Sequence, residues 1–243
     1  MNVLVACKIV PDDRDVKVAA DGSLDFSKAP VVISSYDKNA IEAATIIAAG
    51  GSVKAITVGG AACNNAKVKK DILARGVDEL FSTCGDATAN LDAFATAAEL
   101  AALVKSAGDF DVLVVGSGSA DLYAQQTGVQ LAAALDLPYV SGVIEASAAD
   151  AFLACKRLME SEVEVVQVPT PCVVAVTPDF ADARICGMKD ILAAGKKPMN
   201  AAAPAGAVNA TEEISVKAPA SVDRKQQMFT DIAEFVAAVK AAL

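Results

Sequence analysis

Short runs of aliphatic residues alternate along the chain with longer segments whose apolar positions recur with a period of about 3.6 residues. The aliphatic runs predict buried strands, since strands covered on both faces read as continuous apolar stretches. These predicted strands are Val3–Ala6, Val53–Val58, Val112–Val115 and Cys172–Val176. The longer segments predict helices over Asn39–Ala49, Ala62–Arg75, Leu91–Ser106 and Gln125–Leu135. Such alternation is typical of an α/β fold with a doubly wound, mostly parallel sheet.

Two other patterns interrupt this alternation. Phe152–Cys155 and Glu162–Val168 predict a small hairpin, and the second of them alternates charged residues with valine. Ala201–Ala210 is rich in alanine, proline and glycine, which predicts a linker. We therefore divide the chain into an α/β domain over residues 1–200 and a linker with a C-terminal arm over residues 201–243.

The end of the chain, Thr230–Leu243, predicts an amphipathic helix with Thr230 or Asp231 as its N-cap. Its apolar positions are Ile232, Phe235, Val236 and Val239. Because a lone helix of this length is marginal in water, the apolar stripe needs a surface to cover it. That surface is either the helix's own domain or a partner chain.

Composition narrows the possible chemistry. The 243 residues are 54% hydrophobic and 5% aromatic, include no histidine and carry a formal net charge of −9. The absence of histidine excludes Ser-His-Asp triads and imidazole metal ligands, so we expect neither a catalytic residue nor a metal. The acidic balance argues against a broad contact with nucleic acid or anionic membrane.

The six cysteines show no CxxC spacing, so we expect reduced, mostly buried thiols. They are Cys7, Cys63, Cys84, Cys155, Cys172 and Cys186. No signal peptide is evident and no apolar run is long enough for a membrane span, which together predict a cytoplasmic protein. The basic residues Lys67, Lys69, Lys70 and Arg75 predict a solvated helix face, with an acidic partner as the alternative.

Candidate ligand-binding loops follow the predicted strands, because open α/β sheets bind ligands at the carboxyl ends of their strands. The clearest runs from Gly116 to Gly128 and opens a helix whose first amides could hold a phosphate. Within it, Gln126 and Thr127 could donate to phosphate oxygens, while Asp121 could bind a ribose hydroxyl or cap the helix. Further small or polar loops are Val58–Ala62 and Ser34–Asp37, the latter placed before the helix that begins near Asn39. An ordinary Ser/Gly loop with a helix cap remains the alternative.

These residues also resemble a known family, the electron transfer flavoproteins, and within it the beta subunit. The likeness covers about residues 1–200 and is carried by short motifs in the family's order. They are Val3–Asp12, Tyr36–Ala44, Val58-Gly59, Arg75–Asp78, Asp121 with Gln126-Thr127-Gly128, Arg157 with the glutamates after it, Pro171–Val174, and Arg184 with Lys196-Lys197-Pro198. Asp21–Ala29 and Asp121–Gln126 look like the Fix-type (FixA-like) branch.

The resemblance implies a fold and a cofactor. The fold is Rossmann-like, of the adenine nucleotide alpha hydrolase-like type, with a small hairpin and a C-terminal arm that packs on the alpha subunit. The cofactor is FAD, or AMP as the alternative in conventional members. The residues that the resemblance assigns to it, together with those of the loop, are Ala6, Ser34, Ser35, Tyr36, Asp37, Val58, Gly116, Asp121, Leu122, Tyr123, Ala124, Gln125, Gln126, Thr127, Gly128 and Arg157.

The resemblance further implies partners and a role. The chain would form a heterodimer with an electron transfer flavoprotein alpha subunit and dock acyl-CoA dehydrogenase-like flavoenzymes, or a Fix-type oxidoreductase and a ferredoxin. Met188 falls where the family places its docking anchor, and Ile185 lies on the same segment. Within the complex the chain would carry electrons, with flavin-based bifurcation from NADH as an oxidoreductase activity. The alternatives are a conventional carrier with AMP and a nucleotide-binding sensor of the universal-stress type.

Overall fold

A computed structural model of the chain describes residues 1–149, 151–220, 222 and 226–242. Its strands are β1 Val3–Ala6, β2 Ile9–Pro11, β3 Lys17–Val18, β4 Leu24–Asp25, β5 Val31–Ile33, β6 Val53–Gly59, β7 Glu79–Cys84, β8 Val112–Gly116, β9 Tyr139–Ala148, β10 Phe152–Leu158, β11 Val163–Pro169, β12 Cys172–Val176 and β13 Met199–Ala201. Its helices are α1 Ser35–Ala48, α2 Ala66–Ala74, α3 Ala93–Ala107, α4 Thr127–Leu135, α5 Met188–Ala194 and α6 Ile232–Ala242.

The central sheet has nine strands within the described residues, in the order β11-β10-β9-β12-β8-β1-β6-β7-β13. Every pairing from β9 to β13 along this order is parallel, whereas β10 pairs antiparallel with both β9 and β11. Crossovers between parallel neighbours place helices on both faces. The fold is therefore the predicted Rossmann-like, doubly wound α/β sheet, and β10 with β11 forms the predicted hairpin.

The core lies in two layers, one on each face of the sheet. On one face α1 packs on β1 and β8, with Ile41 and Ile47 fully buried. On the other face α3 packs on β6 and β7 and also on α4, with Leu103 and Leu131 buried. Strands β1, β8 and β12 are buried on both faces, which explains why they read as unbroken aliphatic runs.

Two of the predicted helices differ in the structure, since one begins earlier than predicted and the other is divided. Helix α1 starts at Ser35 rather than near Asn39, so the Ser34–Asp37 segment is its first turn and not a loop before it. Polar residues such as these favour helix ends, so they resemble a loop in the sequence. The predicted helix over Ala62–Arg75 is divided, because Asn65 accepts hydrogen bonds from the Lys67 and Val68 amides and caps a new helix after a 3₁₀ turn.

Three strands of the central sheet lie outside the aliphatic runs that predicted strands. They are β7, β9 and β13, in which polar residues interrupt the apolar ones. The predicted solvated face of α2 also needs correction at two positions, since Lys69 is buried and the side chain of Arg75 is only 13% exposed. Lys69 is 9% exposed, and its ammonium donates to Asn64 Oδ1 at 2.9 Å and to Ser82 Oγ at 3.0 Å.

All six cysteines carry free thiols, and four of them are buried, as predicted. At the other end of the chain, Asp231 caps α6 by accepting hydrogen bonds from the Ala233 and Glu234 amides. Among the described helices, none combines the length and the apolar character that crossing a bilayer demands.

Candidate functional site

A cavity of about 560 Å³ opens at the carboxyl ends of β1, β6 and β8. Its volume lies within the roughly 300–1,000 Å³ of small-molecule sites, and it occupies the edge at which open α/β sheets bind ligands. Most residues that the sequence predicted for the site lie in its wall. They are Ala6, Asp37, Val58, Gly116, Asp121, Leu122, Ala124, Gln125, Gln126, Thr127 and Gly128.

Glycines allow the loop between β8 and α4 to approach its neighbours closely. A Cβ on Gly116 would lie 2.5 Å from Asp37 Oδ1, and one on Gly128 would lie 2.7 Å from Val115 Cγ2. A Cβ on Gly118 would overlap the ring of Tyr123. Any larger residue at these positions would therefore displace the loop, so the shape of this wall depends on glycine.

The N-terminus of α4 provides donors at the same wall. Gln126 occupies the N-cap position, but its side chain does not cap the helix. In the described structure, the amides of Thr127 and Gly128 have no hydrogen-bond partner outside the helix. Free first-turn amides and the positive end of the helix dipole together favour an anion such as a phosphate.

Charged side chains also line the cavity, among them Lys8, Asp37 and Asp121. The ammonium of Lys8 contacts Asp121 Oδ2 at 2.6 Å, while the backbone amide of Lys8 donates to Asp37 Oδ2 at 2.7 Å. Burial raises the pKa of Asp37 to about 7, against the lowering effect of Lys8 and with a further upward contribution from Asp121. Burial also opposes ionisation of Asp121, but its hydrogen bonds from Lys8 and Ser119 leave its pKa below the ordinary value. One carboxylate is thus ionised at neutral pH and the other is close to its midpoint.

Four further predicted residues, Ser34, Ser35, Tyr36 and Tyr123, lie outside the lining of the cavity. Ser34 is buried and its hydroxyl accepts a hydrogen bond from the Ala120 amide at 3.2 Å. The rings of Tyr36 and Tyr123 pack with their centroids 5.0 Å apart. These contacts brace the β8–α4 loop from behind, and Ser35 is exposed at the start of α1.

Sequence reasoning missed part of the wall. The cavity is also lined by Lys8, by Tyr139 and by the segment around Asp92 that leads into α3. The arm adds Asn209, Thr211, Glu212 and Glu213. Asp92, in the sequence Asn90-Leu91-Asp92, could have been recognised as a helix cap, because aspartate is a preferred N-cap residue. In the structure, Asp92 Oδ1 accepts a hydrogen bond from the Ala95 amide at 2.8 Å. The contribution of the arm had no such local signal.

The arm segment over residues 202–213, here called the strap, is held to α3 by two carboxylates. Glu99 is 2% exposed and accepts hydrogen bonds from the amides of Ala205 and Ala207 at 2.8 and 2.9 Å. Asp92 Oδ2 accepts from the amides of Ala210 and Thr211 at 2.7 and 2.8 Å. Hydrogen bonds to a charged acceptor are the stronger kind, so the strap is fastened where it reaches the cavity.

Comparison with known proteins adds the decisive finding. The family model described as the electron transfer flavoprotein domain matches residues 23–207, which include eight of the nine described strands of the central sheet, the loop between β8 and α4 and the first half of the strap. The chain belongs to the electron transfer flavoprotein family. Proteins of this family bind FAD or AMP. Membership supports a role in electron transfer and suggests partnership with another subunit of the family and with flavoenzymes.

In this electron transfer flavoprotein chain, Arg157 lies on β10 and is not part of the cavity lining. Its guanidinium donates to Ser141 Oγ at 3.3 Å and lies 3.4 Å from Glu164 Oε2. Its buried Nε has no hydrogen-bond partner among the described residues. Burial raises the pKa of the cavity residue Tyr139, and the nearby charge of Arg157 opposes that rise. Arg157 is therefore near the cavity without forming its wall.

The two predicted docking residues come later in the sequence than the cavity loops, and their side chains are highly exposed. Ile185 is 98% exposed and Met188, the first residue of α5, is 73% exposed. The backbone that carries them is anchored, since Arg184 forms a paired contact with Glu42 at 2.6 and 2.9 Å. Arg75 also donates to the Arg184 carbonyl at 2.9 Å. Two apolar side chains thus project from a fixed base.

Proposed function

We propose that this chain is the beta subunit of a heterodimeric electron transfer flavoprotein of the Fix-type branch, and that its cavity holds FAD. The observation that carries the proposal is the uncapped N-terminus of α4 at the wall of a 560 Å³ cavity, in a chain of this family. The residues fit a nucleotide because the free amides at the start of α4 suit a phosphate, and the closely packed glycines hold the loop that carries them in place.

The roles of individual wall residues follow from their chemistry. We assign the phosphate to the amides of Thr127 and Gly128, with the side chains of Gln126 and Thr127 as further donors. Asp121 is ionised and accepts from Lys8, so it has remaining lone pairs for a ribose hydroxyl. The small apolar residues Ala6 and Val58 provide a dry surface for a flat base.

A bound flavin would supply the redox chemistry by accepting and donating electrons. The chain itself then needs to bind the cofactor, orient it and exclude water, and none of these tasks calls for a nucleophile or a general base. A sequence without histidine suits this role.

Exposed apolar side chains support the heterodimer. Helix α6 has no buried residue, and Ile232 and Phe235 are among its exposed large side chains. We propose that the arm which carries α6 packs on the alpha subunit, and that the 1–200 segment forms the nucleotide-binding domain. Ile185 and Met188 would dock an acyl-CoA dehydrogenase-like flavoenzyme, or a Fix-type oxidoreductase and a ferredoxin, with bifurcation from NADH as the activity of the whole complex.

The test is to co-purify the chain with its alpha subunit, release the bound nucleotides and identify them. We expect about two flavins per heterodimer, one of them lost when the phosphate-binding wall is disrupted. One flavin with one AMP would instead show a conventional carrier. A heterodimer whose beta chain holds no nucleotide would contradict the proposal.

A further inference from the structure

Two cysteines meet beside the cavity at the carboxyl ends of β6 and β7. Gly59 of β6 is paired with Cys84 of β7 in a parallel register, so both residues direct their substituents to the same face of the sheet. Cys63 lies in the 3₁₀ turn after β6, and its Sγ would be 3.5 Å from a Cβ at Gly59. Cys63 and Cys84 therefore both lie beside Gly59, close to each other on this face.

The surroundings of this pair favour a thiolate at one position. Interaction with the neighbouring Cys84 thiol lowers the pKa of Cys63 to about 7 against the effect of burial, with help from Thr57 and the charge of Lys69. The Thr57 hydroxyl lies 3.5 Å from Cys63 Sγ, and the Lys69 ammonium is fixed by Ser82 and Asn64. Cys84 is partly exposed, so solvent reaches the pair. Redox-sensitive cysteines share this combination of a thiolate, a nearby cation and an adjacent second thiol.

We propose that Cys63 and Cys84 form an oxidant-sensitive dithiol, which hydrogen peroxide converts to an intramolecular disulfide. The Cys63 thiolate attacks one peroxide oxygen and the O–O bond breaks, which leaves a sulfenic acid on Cys63, while the departing hydroxide takes a proton from solvent and becomes water. The Cys84 sulfur then attacks the sulfenic sulfur, the S–O bond breaks, and a second water leaves. The two sulfurs lose two electrons, and the peroxide gains them. Because Gly59 and Gly60 line the cavity, the new bond would fix the loop that forms this wall.

A second cysteine pair in the same chain provides an internal control. Cys155 and Cys172 are both fully buried, and burial raises the pKa of each of these thiols, in Cys172 with a further contribution from Cys155. Buried thiols with a raised pKa are inert toward oxidants. Sensitivity to peroxide should therefore separate the two pairs within one molecule.

The experiment treats the folded full chain with hydrogen peroxide, removes the peroxide, blocks the remaining thiols with N-ethylmaleimide in denaturant and digests the chain with trypsin without reductant. We expect a cross-link between the peptides 55–67 and 76–105, reversible by dithiothreitol, while Cys155 and Cys172 stay alkylated in their separate peptides. Absence of the cross-link at peroxide levels that oxidise other thiols would overturn the proposal. Equal cross-linking of the buried pair would do the same.

Two variants sharpen this test. In Cys84→Ser, Cys63 should stop at the sulfenic acid, which dimedone traps, whereas a cross-link of Cys63 to another cysteine would contradict the assignment. In Lys69→Met, cross-linking should slow roughly threefold or more, because the cation that favours the thiolate is lost. A melting curve for each variant shows whether the fold is retained, and an unchanged rate in a folded Lys69→Met variant would count against the role of the cation.

Discussion

The cavity wall and the docking segment differ in how tightly the fold holds them. In the wall, Gly116 and Gly128 lie so close to their neighbours that even a methyl group would collide. On the docking segment, Ile185 and Met188 project into solvent from a backbone anchored by Arg184. A substitution in a tightly packed wall should lower both ligand binding and the free energy of unfolding. A substitution of a projecting side chain should leave the free energy of unfolding unaffected. Substitutions in the two regions should therefore separate cofactor binding from partner docking.

The largest effect should come from Gly116→Val. Its Cβ would lie 2.5 Å from Asp37 Oδ1, so the loop or α1 must move. We expect a loss of about 2–3 kcal/mol in the free energy of unfolding, measured by urea denaturation, and a loss of the beta-chain flavin from the purified heterodimer. Gly195→Ala is the matched control, since its nearest neighbour would be 3.5 Å away and both quantities should be nearly unchanged. A Gly116→Val heterodimer with its full flavin content would show that the wall is not the ligand site.

The next effect tests whether the strap shares the tight packing of the wall. Glu99→Ala removes the acceptor for the Ala205 and Ala207 amides, and we expect about 2 kcal/mol less stability in urea denaturation. Limited proteolysis should cleave the strap faster. The control is Glu145→Ala, which removes an exposed ion pair with Lys156 and should cost well under about 1 kcal/mol. An equally slow cleavage in Glu99→Ala and wild type would show that Glu99 does not fasten the strap.

The pH dependence of stability should identify Asp37 within the wall. Its pKa is raised to about 7 in the folded chain, so the folded state binds a proton more tightly than the unfolded state does. The stabilisation is complete below the unfolded pKa of about 3.9 and is lost as the pH rises toward 7. The difference in unfolding free energy between wild type and Asp37→Asn should fall across this window, by up to about 1.4 kcal/mol per pH unit. A difference that does not change with pH would contradict the raised pKa.

The same contrast explains which features could be predicted from the sequence. The strands β1 and β12 were predicted with their observed ends, because full burial on both faces leaves an unbroken aliphatic run. The Gly116–Gly128 loop was predicted as a ligand-binding loop because a run of small residues directly after a strand can be recognised in the sequence alone. The ion pair between Lys8 and Asp121 and the strap contacts of Asp92 join residues more than a hundred positions apart, and no local pattern records them. Lys69 was misjudged for the same reason, since its partner Ser82 lies on a strand that was not predicted.

The smallest effect on stability, and the most selective effect on function, should come from Met188→Ala. Because this side chain is 73% exposed, its removal should change the free energy of unfolding by less than about 0.5 kcal/mol and leave the nucleotide content of the heterodimer intact. Electron transfer to a partner flavoenzyme, followed by flavin bleaching in stopped flow, should nevertheless slow, since docking surfaces concentrate their binding energy in a few anchors.

Ile185→Ala should behave in the same way as Met188→Ala. Leu122→Ala, in the cavity wall, should instead lower the nucleotide content before it affects docking. A Met188→Ala heterodimer that loses nucleotide, or that transfers electrons at the wild-type rate, would show that this exposed segment is not a separate docking surface.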